Sequence, residues 1–83
     1  MKTYTIIKVR DGKETAYTGT ADDLQKVFKM HATYNPIGTY LELLSDAEYL
    51  KGHGNSKKAA ELIAKANKLI DELAQWGYVV PKV

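Results

Sequence analysis

The stretch from Ser56 to Gly77 leaves this chain the least freedom. Apolar residues recur there at Ala59, Leu62, Ile63, Ala66, Leu69, Ile70 and Leu73. Steps of three and four place them all on one face of a helix with 3.6 residues per turn. Lys58, Glu61, Lys65, Lys68 and Glu72 fall on the opposite face. Ser56 can cap the start by accepting a first-turn N–H. Gly77 can end it, because glycine enters the left-handed conformation without a Cβ clash. Twenty residues make a rod about 30 Å long. Such a rod needs its apolar stripe covered, by the rest of the chain or by a second copy.

The cover has to come from the residues before it. Thr3 to Arg10, TYTIIKVR, is rich in β-branched and aromatic residues and predicts a strand. Asp11-Gly12 supplies the positive-φ pair of a two-residue type I′ hairpin, and Lys13 to Thr18 returns as the second strand. Tyr4, Ile6 and Lys8 share one face of the first strand, and Thr5, Ile7 and Val9 the other. The second set is the cleaner apolar stripe, so Ile7 and Val9 are expected to face the core. Thr20 then suits a helix N-cap, with Asp22 and Asp23 at the positive end of the dipole. Leu24, Val27, Phe28 and His31 follow at helical spacing, predicting a helix from Ala21 to about His31.

Tyr34 to Gly38 reads as a turn, since the residue before Pro36 is pushed out of the helical region. Thr39 to Leu50 fits two patterns. Thr39 to Leu43 alternates like a strand, yet the same residues continued through Leu44, Ala47 and Leu50 fit a helix. Ser45 and Glu48 have capping-box spacing. The reading is a short strand or irregular segment, then a short helix from Asp46 to Lys51. Gly52 to Asn55 is a flexible connector, and Gly77 to Val80 a closing strand, with Pro81 suited to a sheet edge or chain end.

These elements predict an α+β fold, residues 1–83 as a single domain. An N-terminal β-hairpin forms a small, mainly antiparallel sheet. A short helix and one long amphipathic C-terminal helix pack on one face.

Composition bears mainly on function. The chain of 83 residues is 45% apolar and 27% charged, as in an ordinary globular domain. It has no cysteine, which removes disulfides, thiolate chemistry and cysteine zinc sites, and fits a reducing cytoplasm. No apolar run approaches a membrane span, and Met1 to Tyr4 leads straight into strand pattern without a signal-peptide block. The net charge of +2 is too small to argue for nucleic acid by itself.

Among candidate sites, Gly52 to Lys58 is the most suggestive. Glycines precede a helix start whose free N–H groups favour anions. This makes Gly54, Ser56, Lys57 and Lys58 a candidate anion site, although the glycine spacing of a P-loop is missing. The plain alternative is a connector with solvated lysines. His31 and His53 lack the third ligand and the spacing of a metal site, so no metal or cofactor is expected. Asp22/Asp23 and Asp71/Glu72 are adjacent on their helices and diverge by about 100°, so neither forms a carboxylate couple. No catalytic constellation is visible, and no enzymatic activity is expected.

The tyrosines are the stronger lead: six, against one Phe and one Trp. Tyr suits positions where a ring packs while its hydroxyl meets water or a partner. Tyr4 and Tyr17, with Lys8 and Arg10, are expected on the outer face of the hairpin, as a protein-binding surface; the plain alternative is that several tyrosines simply close a core short of phenylalanine. The same face, with the basic start of the long helix, alternatively suits stacking on single-stranded nucleic acid.

The opening MKTYTIIKV, the hairpin end GKETAYTGT, the L…VF helix, and KGHGNSKK leading to a long helix closed by WGY resemble small bacteriophage-encoded accessory proteins. His31 to Leu50 departs from that pattern. The resemblance implies a role in the host bacterial cytoplasm, by binding and modulating or inhibiting a host protein. It carries no catalytic residue across.

Overall fold

A computed structural model describes residues 2–28 and 35–81. The elements run β1 (Tyr4–Arg10), β2 (Lys13–Gly19), α1 (Ala21–Phe28), α2 (Pro36–Gly52), α3 (Ser56–Lys68), α4 (Ile70–Gln75) and β3 (Tyr78–Val79). The fold is α+β, as the patterning predicts. His31 and Tyr34, and with them the expected end of the first helix, lie outside the described residues.

Strands β1 and β2 form the predicted hairpin. Asp11 and Gly12 have φ of +52° and +77°, the left-handed pair a type I′ turn requires. Their register is unbroken from Tyr4↔Gly19 to Arg10↔Lys13. β3 joins antiparallel on the other side of β1, with Ile7↔Val79 and Lys8↔Tyr78, giving the order β2-β1-β3.

The face of β1 that turns inward is the opposite of the expected one. Ile6 is fully buried and Tyr4 nearly so, whereas Val9 is 37% exposed and Ile7 is only half-buried. A strand's side-chain period of two makes this an all-or-none choice for the whole strand. Partners distant in sequence decide it. Tyr17 stands opposite Ile6, and Tyr78 opposite Lys8. Phe28 meets both tyrosine rings edge-on, with centroids 5.0 and 5.6 Å away. Lys8 is half-buried on this same face, its Nζ 5.6 Å from the centre of the Tyr78 ring.

Residues 36–52 form one continuous helix, which corrects the expected turn from Pro36 to Gly38 and the strand or irregular segment after it. Asn35 is non-helical, as a residue before proline should be, but it is the N-cap. Its Oδ1 accepts from the Ile37 amide at 3.0 Å. Pro36 is the first helical residue, where its missing N–H costs nothing and its φ is preset. Ile37, Tyr40, Leu41, Leu44 and Ala47 are all buried, a helical rather than alternating period. Ser45 and Glu48 therefore sit inside the helix instead of capping one.

The long C-terminal stripe packs mainly on α2. Ala59, Ala66 and Leu73 are buried; Leu62, Ile63, Leu69 and Ile70 are half-buried. The rod is helical across 56–75 with one interruption. At Leu69 the backbone tightens, its amide bonding the Ala66 carbonyl at 3.0 Å, and α4 then continues. Asn55, rather than Ser56, caps α3, its side chain accepting from the Lys58 amide at 3.3 Å. The core thus draws Tyr4 and Ile6, Leu24, Ile37, Tyr40, Leu41 and Leu44 of α2, Ala66, Leu73 and Tyr78 into one cluster. Each fully buried Leu or Ile contributes roughly 1.5–3 kcal/mol. Among the described residues, no helix is long and apolar enough to cross a membrane.

Candidate functional site

Among the described residues, the helices cover one side of the sheet. The side chains that share the uncovered side follow from the register. Thr5, Ile7 and Val9 of β1 stand beside Thr18, Ala16 and Glu14 of β2, and Val79 of β3 stands beside Ile7. Ala16, Ile7 and Val79 therefore form one apolar row straight across the three strands. Ala16 is exposed, Ile7 half-buried and Val79 56% exposed. Val9, one pleat along, extends the patch, and the Thr5 and Thr18 hydroxyls bond each other at 3.0 Å beyond the row's other side. Trp76, 48% exposed, immediately precedes Gly77, whose carbonyl accepts from the Val9 amide at 2.7 Å.

Tyr4, Lys8, Arg10 and Tyr17, expected as an outward binding group, all lie on the inner side of the sheet. Tyr4 is 6% exposed, and its hydroxyl donates to Glu48 Oε1 at 2.9 Å. Burial foremost, then the hydrogen bond to Glu48 and the negative charge there, holds its phenol well above the ordinary tyrosine range. Tyr4 is thus a strut between β1 and α2, closed to a partner. Tyr17 is half-buried against Phe28. Arg10 is exposed at the hairpin end, opposite Lys13.

Tyr40 is a second strut. Its ring is fully buried, and its hydroxyl donates to the Pro81 carbonyl at 2.8 Å. Burial pushes this phenol up to about 12. The tyrosine excess therefore serves packing at Tyr4, Tyr40 and Tyr78, while Tyr49 is 65% exposed.

Around Gly52–Lys58 every side chain is exposed. Gly54 has a φ of +80°. Asn55 takes the Lys58 amide on which an anion would draw, and Ser56 is simply the first helical residue. The His53 ring is stacked on Tyr49, centroids 4.1 Å apart, with Nδ1 2.8 Å from the Tyr49 carbonyl. Local caps and a ring stack thus order the expected flexible connector.

A shallow depression of about 440 Å³ opens between Lys2, Thr20, Asp22, Glu48, Lys51 and Gly52. Its carboxylates are already engaged, Glu48 by Tyr4 and Asp22 by the Ser45 hydroxyl at 2.6 Å. Among the described residues, no group of three or more His, Asp or Glu is placed to hold a metal ion.

Ile7 and Val9 stand out in the sequence as an apolar stripe, but one expected to face the core, so the outer row was not legible as a surface. Its other half, Ala16 and Val79, needs the three-strand register. No family model, curated protein or solved structure matches this chain.

Proposed function

We propose that this chain is a non-enzymatic protein-binding module that docks a partner protein on the uncovered face of its sheet. The observation that carries this reading is the exposed row Ala16–Ile7–Val79 with Val9 beside it. Apolar side chains aligned on an open sheet face, with exposed Trp76 nearby in the chain, are what a protein interface uses as its central anchor. The resemblance to phage accessory proteins adds the setting: a host bacterial protein, bound and thereby modulated or inhibited in the cytoplasm.

The test is affinity capture from bacterial lysate by the tagged protein, with and without nuclease, beside a Val9→Lys/Val79→Lys variant. A discrete protein retained by the wild type in both arms and lost in the variant supports this face. Retention by the variant removes it.

A nucleic-acid reading rests on a different observation. Arg10 and Lys13 face each other on the last rung of the hairpin, on the same side as Lys8. Its signature is affinity for single-stranded oligonucleotide that falls steeply with salt and drops on Arg10→Ala/Lys13→Ala. Asp11 and Glu14 flank these cations, which makes it the second choice.

A further inference from the structure

The two outer strands of the sheet are very different edges. β3 is two residues long, and Pro81 follows shortly after it. Short strands and proline are the usual protections of an edge. β2 has neither: it runs seven residues in unbroken register with β1, without proline or bulge.

One hydrogen bond tells which backbone groups of β2 turn away from β1. The Val9 amide donates to the Gly77 carbonyl. Odd-numbered residues of β1 therefore turn their backbone toward β3, and even-numbered ones toward β2. With Arg10 opposite Lys13, residues Lys13, Thr15, Tyr17 and Gly19 bond β1. Glu14, Ala16 and Thr18 then turn their N–H and C=O groups outward.

This edge is self-complementary about Ala16. In an antiparallel pair with a two-fold axis there, Ala16 faces Ala16, Glu14 faces Thr18, and Lys13 faces Gly19 of the second copy. No like charges oppose. The Lys13–Gly19 rung is the informative one. Gly19 has no side chain, and Asp23 lies against it. A Cβ on Gly19 would stand 3.1 Å from the Asp23 Cβ and 3.5 Å from Oδ2. A lysine arriving opposite Gly19, on the side of the sheet where α1 lies, meets that carboxylate. The axis repeats the contact.

We propose that the protein forms a two-fold dimer by antiparallel pairing of β2 with β2 of a second copy, centred on Ala16 and clamped by two Lys13–Asp23 ion pairs. The long helix offers less for such a pairing, because Ala59, Ala66 and Leu73 of its stripe are already buried within the fold. The dimer doubles the outer apolar row into Val79–Ile7–Ala16–Ala16–Ile7–Val79. It stands independently of which partner binds there.

Sedimentation velocity of the full chain, from micromolar to near-millimolar concentration, tests this. The wild type dimerises. Ala16→Pro removes an outward N–H while sparing every bond between β1 and β2, a site where an edge strand tolerates proline. It weakens the dimer by at least about tenfold. Lys13→Asp and Asp23→Lys are each monomeric alone. Mixed, they form a heterodimer, because both cross-pairs again carry opposite charge. Circular dichroism melts verify that each variant is folded; if Ala16→Pro is not, the mixing experiment decides. A wild type that stays monomeric overturns the proposal, and so does a dimer indifferent to these substitutions. A monomer whose captured partner is lost on Ala16→Pro assigns the edge to a foreign strand instead, which also overturns it.

Discussion

Gly77 and Val9 approach so closely that only glycine fits between the last helix and the central strand. The Gly77 carbonyl accepts from the Val9 amide at 2.7 Å, and a Cβ on Gly77 would stand 2.6 Å from the Val9 carbonyl oxygen. Gly77 also has a φ of +86°. Gly77→Ala combines left-handed strain with a backbone clash and should cost at least about 2 kcal/mol. A urea midpoint within error of the wild type would show that β3 does not dock on β1 as described.

The two faces of β1 make opposite predictions. Ile6→Ala empties a fully buried site and should cost about 3 kcal/mol. Val79→Thr, on the open face, should change stability by less than about 0.5 kcal/mol. Equal costs in thermal or urea unfolding would mean that a partner or a second copy covers the outer face under the conditions of the measurement.

The buried tyrosines set an alkaline limit. An unfolded tyrosine ionises near pH 10. Folded Tyr40 ionises only at about 12, and Tyr4 is also raised. Above the unfolded value the unfolded chain releases protons that the folded chain retains. The stabilising contribution is therefore complete below about pH 10 and is lost as pH rises toward the folded values. Stability should fall by roughly 1.4 kcal/mol per pH unit for each such tyrosine. Tyr40→Phe removes its share of that slope while losing its bond to Pro81. Urea titrations across the alkaline range read the slope; a slope unchanged in Tyr40→Phe would contradict the strut.

The start of α3 separates two adjacent candidates for its cap. Asn55→Ala removes the acceptor of the Lys58 amide and should cost about 1 kcal/mol. Ser56→Ala, at the first helical position, should be nearly neutral. The reverse order in thermal melts would restore Ser56 as the cap.

Local signals were legible wherever the chain's own neighbours decide the outcome. Asp11-Gly12 specifies a type I′ turn through two positive φ values, and its two-residue length sets the hairpin register. The three-and-four spacing from Ala59 to Leu73 specifies a helix and its buried stripe. Gly77 specifies the end of that helix, though not the contact with Val9 that makes glycine obligatory there.

What the tertiary structure alone decided are the choices between locally equivalent alternatives. Thr39 to Leu50 suits a strand or a helix by pattern. Packing against α3 selects the helix, because only that period buries Tyr40, Leu41, Leu44 and Ala47 together. Both faces of β1 carry apolar residues, so sequence alternation cannot rank them. Tyr17, Phe28 and Tyr78, brought together from three separate elements, rank Tyr4 and Ile6 inward. The candidate site shares that dependence. Ile7 and Val9 are apolar in any reading, but they become a surface only once a third strand sets Val79 beside Ile7 and the described helices lie on the other side.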